Sequence, residues 1–367
     1  MKVNGKHMRS IELSDDGWSC TIIDQRMLPH TLARESLRST QDAARAISEM
    51  WVRGAPLIGV TAAYGVALAM RSNSSDAALE QAHTMLLATR PTAVNLRWAL
   101  DTMRATLQPL APAGREHAAY ERCAQLADED VACCEAIGTH GLALFRKLVQ
   151  EKKTPGPLRI LTHCNAGWLA TVDWGTALAP IFKAHQAGID VHVYVDETRP
   201  RNQGASLTAW ELVQEKIPHS LIVDNAGGHL MQQGQVDLCI VGSDRTTATG
   251  DVCNKIGTYL KALAAADNGV PFYVALPYST IDWSIRDGLR EIPIEERSPR
   301  EVTHIRGLTT NGTIEEVALA PKETTALNLG FDVTPARLVT KIITERGIAD
   351  ASEAGLASLY NEDSQTP

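Results

Sequence analysis

From residue 158 onward the chain alternates short apolar runs with helix-like stretches, and that rhythm leaves few folds open. The runs are residues 158–161, 191–195, 221–223, 238–241 and 272–276. Continuous apolar runs this short read as strands buried on both faces, as in a parallel sheet. Helix-like stretches at 207–214 and 259–265 separate them, so the predicted class is α/β with a mainly parallel sheet. Each run hands over to polar residues at its carboxyl end. The first ends at His163-Cys164, the second at Asp196-Glu197-Thr198-Arg199-Pro200, and the third at Asp224-Asn225. The last two end at Gly242-Ser243-Asp244-Arg245 and Pro277-Tyr278-Ser279-Thr280. In an open parallel sheet such ends line one crevice, where ligands are held.

The chain before this has another texture. Residues 20–25 form an apolar-centred stretch that reads as part of a small β-meander within the first thirty residues. From Thr31 to about Lys152 the spacing turns helical, through Ala33, Leu37, Ala43, Ile47 and Met50 and later Leu96, Leu100, Met103 and Leu107. Turns fall at 72–76 and 109–114. Residues 151–157, charged and then rich in proline and glycine, are the candidate linker. A chain of 367 residues suits two domains: 1–152, a short meander plus helices, and 153–367, carrying the sheet. The tail 361–367 reads as disordered.

A net charge of -8 gives no general attraction to nucleic acid or to anionic membranes, so an anionic ligand needs a local cationic pocket. Residues 1–7 are short and polar, unlike a signal peptide, and no uninterrupted apolar run approaches the ~20 residues that cross a bilayer. The seven cysteines are scattered with no CxxC pair, so reduced thiols and a cytoplasmic location are expected.

The turn Thr162-His163-Cys164-Asn165-Ala166-Gly167 puts a thiol just past a strand, and residues 168–174 then read as the start of a helix. A cysteine there is open to three readings: core residue, metal ligand or reactive group. Its polar neighbours favour the last, with amides at the following helix start expected to lower its pKa. Asp244 stands at another strand end and is open to acid/base, metal-ligand or plain ion-pair roles, the last with Arg245. A thiol and a carboxylate in one crevice form a plausible acid/base pair. Residues 250–258, holding Asn254 and Lys255, read as a glycine-bounded loop opening a helix, suited to a phosphate or to a solvated cap. They do not fit the GxxxxGK[ST] spacing. Arg53-Gly54-Ala55-Pro56 can present a cation and amides to an anion. Arg90 precedes a helix with Thr92 as its candidate cap, although for each arginine taken alone a solvated surface role is the stronger reading. Gln203, ahead of Gly204, suits sugar hydroxyls or its own backbone.

Together these motifs resemble the methylthioribose-1-phosphate isomerases. The likeness runs from about residue 9 to about residue 348 and includes Val270-Pro271-Phe272-Tyr273-Val274-Ala275-Leu276-Pro277 and Ile292-Pro293-Ile294-Glu295-Glu296-Arg297. The resemblance implies a small antiparallel start, a helical N-terminal domain and a Rossmann-like C-terminal domain, as a homodimer. It implies an aldose–ketose isomerisation of 5-methylthioribose 1-phosphate in methionine salvage. Cys164 and Asp244 would be catalytic, and Arg53, Gly54, Ala55, Arg90, Gln203, Asn254 and Lys255 would bind a small sugar phosphate. No metal and no cofactor is expected. The chain departs from the family pattern at Ser243 and Cys253, each replacing an alanine, and Cys253 adds a second thiol able to cross-link with Cys164 if geometry allows. The chemistry expected is a protonated Asp244 serving the ring oxygen and a Cys164 thiolate accepting a proton from C2 or its hydroxyl. Two rivals share the likeness: a ribose-1,5-bisphosphate isomerase, and the non-catalytic regulatory subunits of a translation-initiation exchange factor.

Overall fold

In the computed structural model, which describes residues 1–90 and 94–360, the predicted parallel sheet is present. Among the described residues it has seven strands in the order Gly347–Ala349, Lys341–Thr344, Phe272–Ala275, Leu238–Val241, Leu158–Thr162, Val191–Asp196, His219–Ile222. All neighbours are parallel except the edge pair Lys341–Thr344 with Gly347–Ala349. Successive side chains of each strand face opposite layers. Ile160, Ile240 and Ile343 pack with Ile137, Phe145, Ile181 and Phe182 of the helices Pro112–Glu151 and Ala179–Gln186. Leu161, Cys239, Phe272, Val274 and Ile342 pack on the other face with Met231, Ala262 and Ala265 of Ala226–Gln232 and Thr258–Asp267. Burying one such isoleucine or phenylalanine contributes about 1.5–3 kcal/mol, which is why these runs are mostly apolar, with Arg159 and His192 as the exceptions.

The chain leaves Leu158–Thr162 toward one side of the sheet and later returns to Leu238–Val241 on the other. The carboxyl ends of these adjacent strands therefore diverge, and a crevice opens between them. A four-stranded sheet of Ile281–Asp282, Arg245–Thr247, Val252–Lys255 and Phe331–Thr334 stands beside it.

The N-terminal part packs around the helix Ala55–Ser72, buried on nearly every side. This helix is long and apolar enough to cross a bilayer by length and composition, but 78% of it is buried inside the protein. The antiparallel meander is Ile11–Leu13, Cys20–Asp24 and Ala33–Leu37, longer than the sequence suggested. Ala33 and Leu37 have helical spacing, yet their backbone pairs in register with Asp24 and Cys20, and the helix begins only at the Ser39 cap. The linker segment follows the end of Pro112–Glu151.

Residues 168–174 are not a helix start. Only a single 3-10 turn, Trp168–Ala170, forms. Its first amides bond the Glu211 carboxylate, and the Thr171 hydroxyl takes the Gly175 amide, so the backbone turns in on side chains; the α-helix waits until Ala179. The candidate cap Thr92 and the tail 361–367 lie outside the described residues.

Candidate active site

Cys164 follows the central strand in a left-handed backbone conformation, φ 66°, which a residue with a Cβ adopts only when its surroundings hold it there. Here two threonines do so: the Cys164 amide donates to Thr198 Oγ1 at 2.8 Å, and Thr208 Oγ1 donates to the Cys164 carbonyl at 2.7 Å. The sulfur is buried between Gln203 and Arg53. Its S–H donates to Gln203 Oε1 at 3.3 Å, and Arg53 Nη2 donates to the sulfur at 3.6 Å. Burial pushes the thiol up, with Arg53 and Lys255 pulling the other way. This corrects the expected lowering: no long helix starts at the turn, and desolvation outweighs the local amides. The resting thiol keeps its proton.

Arg53 is 8% exposed and immobilised by the same turn. Its Nη1 donates to the Asn165 carbonyl at 2.8 Å and to Asn165 Oδ1 at 2.7 Å. Its buried Nε has no hydrogen-bond partner among the described residues. Gly54, φ 97°, caps the Ala55–Ser72 helix. A Cβ at Gly54 would lie 2.6 Å from the Ala170 Cα, so this turn requires glycine.

Asp244 leaves the neighbouring strand, its amide bonded to the Cys253 carbonyl at 3.0 Å. Burial raises its carboxyl, with Lys255, Arg90 and Arg53 opposing. Arg245 instead faces Asp282, Nη1 to Oδ2 at 3.6 Å. Asn254 and Lys255 are not on a loop: Val252–Lys255 is a strand held on both edges. Lys255 Nζ donates to the Gly330 carbonyl at 2.8 Å, and its ammonium is lowered by burial, against the pull of Cys164 and Asp244. Asn254 Nδ2 donates to Thr258 Oγ1 at 3.0 Å. Arg90 reaches the same crevice from the N-terminal part, paired with Glu295 at 2.9 Å.

A narrow cavity is lined by Ala55, Arg90, Asp244, Cys253 and Phe331; a wider one, about 360 Å³, opens on Arg53 and Gln203. Arg53 and Gln203 touch the Cys164 sulfur, and the charges of Asp244, Lys255 and Arg90 act on the same neighbourhood, whereas Asn254 lines neither cavity. Cys253 is a free thiol pushed up to about 12 by burial, and Ser243 Oγ bonds Thr246 Oγ1 at 2.9 Å.

Sequence reasoning missed Glu211, Thr198 and Thr208, which hold the Cys164 turn; each reads as an ordinary helix or loop residue until the fold buries it. It also missed a chain of ion pairs over the crevice, running Arg90–Glu295–Arg297–Glu301–Arg201 at 2.9, 2.7, 2.7 and 3.0 Å. Among the described residues His163, Asp196 and Asp224 bring ligand atoms within 4.8 Å of one another. Lys261 Nζ already lies 3.1 Å from Asp196 Oδ2, and His163 is bonded to Asp196 and the Ile256 carbonyl, both at 2.8 Å, so a lysine supplies the charge a metal would.

Fold and site together define an α/β protein with a buried thiol, a buried carboxyl and cationic side chains at the carboxyl edge of its parallel sheet. The chain belongs to the initiation factor 2 subunit family, which it matches over residues 51–351. It is 62% identical over 362 residues to the methylthioribose-1-phosphate isomerase of Rhizobium meliloti (strain 1021), covering 99% of this chain and 100% of that one. The crystal structure of 5-methylthioribose 1-phosphate isomerase from Pyrococcus horikoshii OT3 (form II) is similar with TM-score 0.82 and 38% identity, covering 96% of each chain. The translation initiation factor eIF-2B, subunit delta, from A. fulgidus is similar with TM-score 0.78 and 36% identity, covering 96% of this chain and 99% of that one.

Proposed function

We propose that this chain is an aldose–ketose isomerase converting 5-methylthio-D-ribose 1-phosphate to 5-methylthio-D-ribulose 1-phosphate, the isomerisation step of methionine salvage. The observation that carries the reading is the meeting of Cys164, Asp244, Arg53, Lys255 and Arg90 in one crevice of a chain similar over its whole length to such isomerases. Arg53, the Gly54–Ala55 amides, Arg90, Asn254 and Lys255 hold the phosphate, while Gln203 faces a sugar hydroxyl. The same reading takes the protein as a cytoplasmic homodimer divided near residue 152.

Phosphate on C1 blocks the simple opening of the sugar to an aldehyde. Asp244, in the protonated form that burial and the arriving dianion favour, gives its proton to O4 as the C1–O4 bond breaks. C1 is left as an oxocarbenium. Cys164 rests as a thiol bonded to Gln203 and so is not a base at C2, and the Asp244 carboxylate is assigned the C2 hydroxyl proton. A hydride therefore moves from C2 to C1. The C2 hydroxyl, turning into a protonated carbonyl, returns its proton to the Asp244 carboxylate, and atoms and charge balance. Cys164 offers its polarisable sulfur to the cationic carbons in a site that burial keeps free of bulk water.

The test is Cys164→Ser and Asp244→Asn in folded protein, each expected to lose at least about 100-fold in kcat/KM; near-normal turnover in either variant sinks the assignment. The likeness to the A. fulgidus protein supports a second reading, a binding subunit without catalysis. Such a scaffold has no need of an acid beside a buried thiol, and inactivity of the pure wild-type protein on sugar 1-phosphates would decide for it.

A further inference from the structure

Glu211 is a buried carboxylate that the proposed reaction does not use. It lies on the Ala209–Gln214 helix with no solvent exposure. Its Oε1 accepts from Asn165 Nδ2 at 2.8 Å and Leu169 N at 3.2 Å, and its Oε2 accepts from Trp168 N at 2.9 Å. All three donors are neutral amides. The fold makes room for it, since a Cβ on Gly167 would overlap the carboxylate.

This arrangement decides which way the Asn165 side chain faces. Its Nδ2 points to Glu211 and to Thr208 Oγ1, 3.1 Å away, so its Oδ1 must point to Arg53 Nη1, at 2.7 Å. The other arm of that guanidinium is the one on the Cys164 sulfur. We propose that Glu211 is a positioning residue: through the Asn165 amide its carboxylate holds Arg53 against the Cys164 sulfur and ready for the substrate phosphate, and its protonation releases that hold.

The sign follows from the donors. A carboxylate satisfies three N–H groups at once, whereas a protonated carboxyl brings an O–H into a space where donors already point. The Asn165 amide then loses its reason to face Arg53. Burial pushes the Glu211 carboxyl up to about 7, opposed by Asn165, Leu169, Trp168 and Arg53. Arg53 is the charged group facing it, and the remaining neighbours are these amides and the Thr208 hydroxyl beside Asn165. The positioned state is therefore full above about 7 and lost as the pH falls through that value.

The kinetic arm of the test rests on the isomerase reading; the thiol arm does not. In the full-length Glu211→Gln variant, kcat/KM on 5-methylthioribose 1-phosphate is expected to fall about 10- to 100-fold at the wild-type optimum, and the acid limb near neutrality to disappear. In parallel, the rate of Cys164 alkylation by iodoacetamide, read peptide by peptide, should show an inflection near neutral pH in wild type that the variant lacks. Asn165→Asp is the second variant. It sets two carboxyls 2.8 Å apart, so they share one proton and the inflection moves up by about one unit or more. An unchanged inflection in Asn165→Asp, or in a folded Glu211→Gln, overturns the proposal. An inflection that behaves as expected in a protein without turnover supports the positioning role and removes the isomerase reading instead.

Discussion

Gly54→Ala is the sharpest mechanical perturbation of the site. At φ 97° and ψ 134° an alanine is strained wherever it stands, at a cost of about 1–3 kcal/mol. Its methyl would also sit 2.6 Å from both Cα and Cβ of Ala170 and closer still to that residue's carbonyl oxygen, where no flexible side chain can give way. Overpacking of this kind costs about 1–3 kcal/mol more. The total, about 2–6 kcal/mol, corresponds for 367 residues unfolding together to a fall in Tm of roughly 3–8 °C. Relief must come from moving the 53–55 turn off the Trp168–Ala170 turn, and Arg53 moves with it. A displacement of ~1 Å at such a group costs about 100-fold in rate. The matched control is Gly156→Ala, φ 104° with nothing within 4 Å, which carries the strain without the clash. Calorimetry and kcat/KM on both variants decide the matter. If Gly54→Ala loses no more stability than Gly156→Ala and keeps its activity, the argument from close approach is wrong.

Two further outcomes are expected. Partial burial pushes the Glu295 carboxyl up, yet Arg90 and Arg297 hold it below its ordinary value, and it in turn anchors Arg90. Glu295→Gln should raise KM about three- to tenfold with kcat within about twofold, since only ground-state and transition-state grip on the phosphate is lost equally; a change confined to kcat contradicts this. Run in heavy water, the reaction should leave protium on C1 of the product, because a thiol that keeps its proton does not take one from carbon. Deuterium at C1, read by NMR, would make Cys164 or Asp244 a base at C2.

Five strands of the parallel sheet were legible because burial on both faces keeps their runs mostly apolar, and Leu238–Val241 carries no polar residue at all, whereas Lys341–Thr344 went unread. Cys164 and Asp244 were legible for the same reason: polar residues stop such runs, and the stops share one edge. Strands without that pattern were not. Ala33–Leu37 is mostly exposed and Val252–Lys255 holds an asparagine and a lysine, so the pairing that makes them strands lies in distant partners. The thiol's raised pKa was also hidden, because it depends on how deeply the fold buries the sulfur. Glu211 looks like any surface glutamate of an amphipathic helix; only the fold places Trp168, Leu169 and Asn165 around it.

The central claim concerns one crevice and one substrate, and turnover of pure wild-type protein tests it most directly. Supplied with 5-methylthioribose 1-phosphate and, separately, with ribose 1,5-bisphosphate, and followed by NMR, it should form the 1-phosphoketose from the first at least about 100-fold faster than from the second. Cys164→Ser and Asp244→Asn should each slow its formation at least about 100-fold. Faster turnover of the bisphosphate, or none of either compound by the folded protein, would contradict the account.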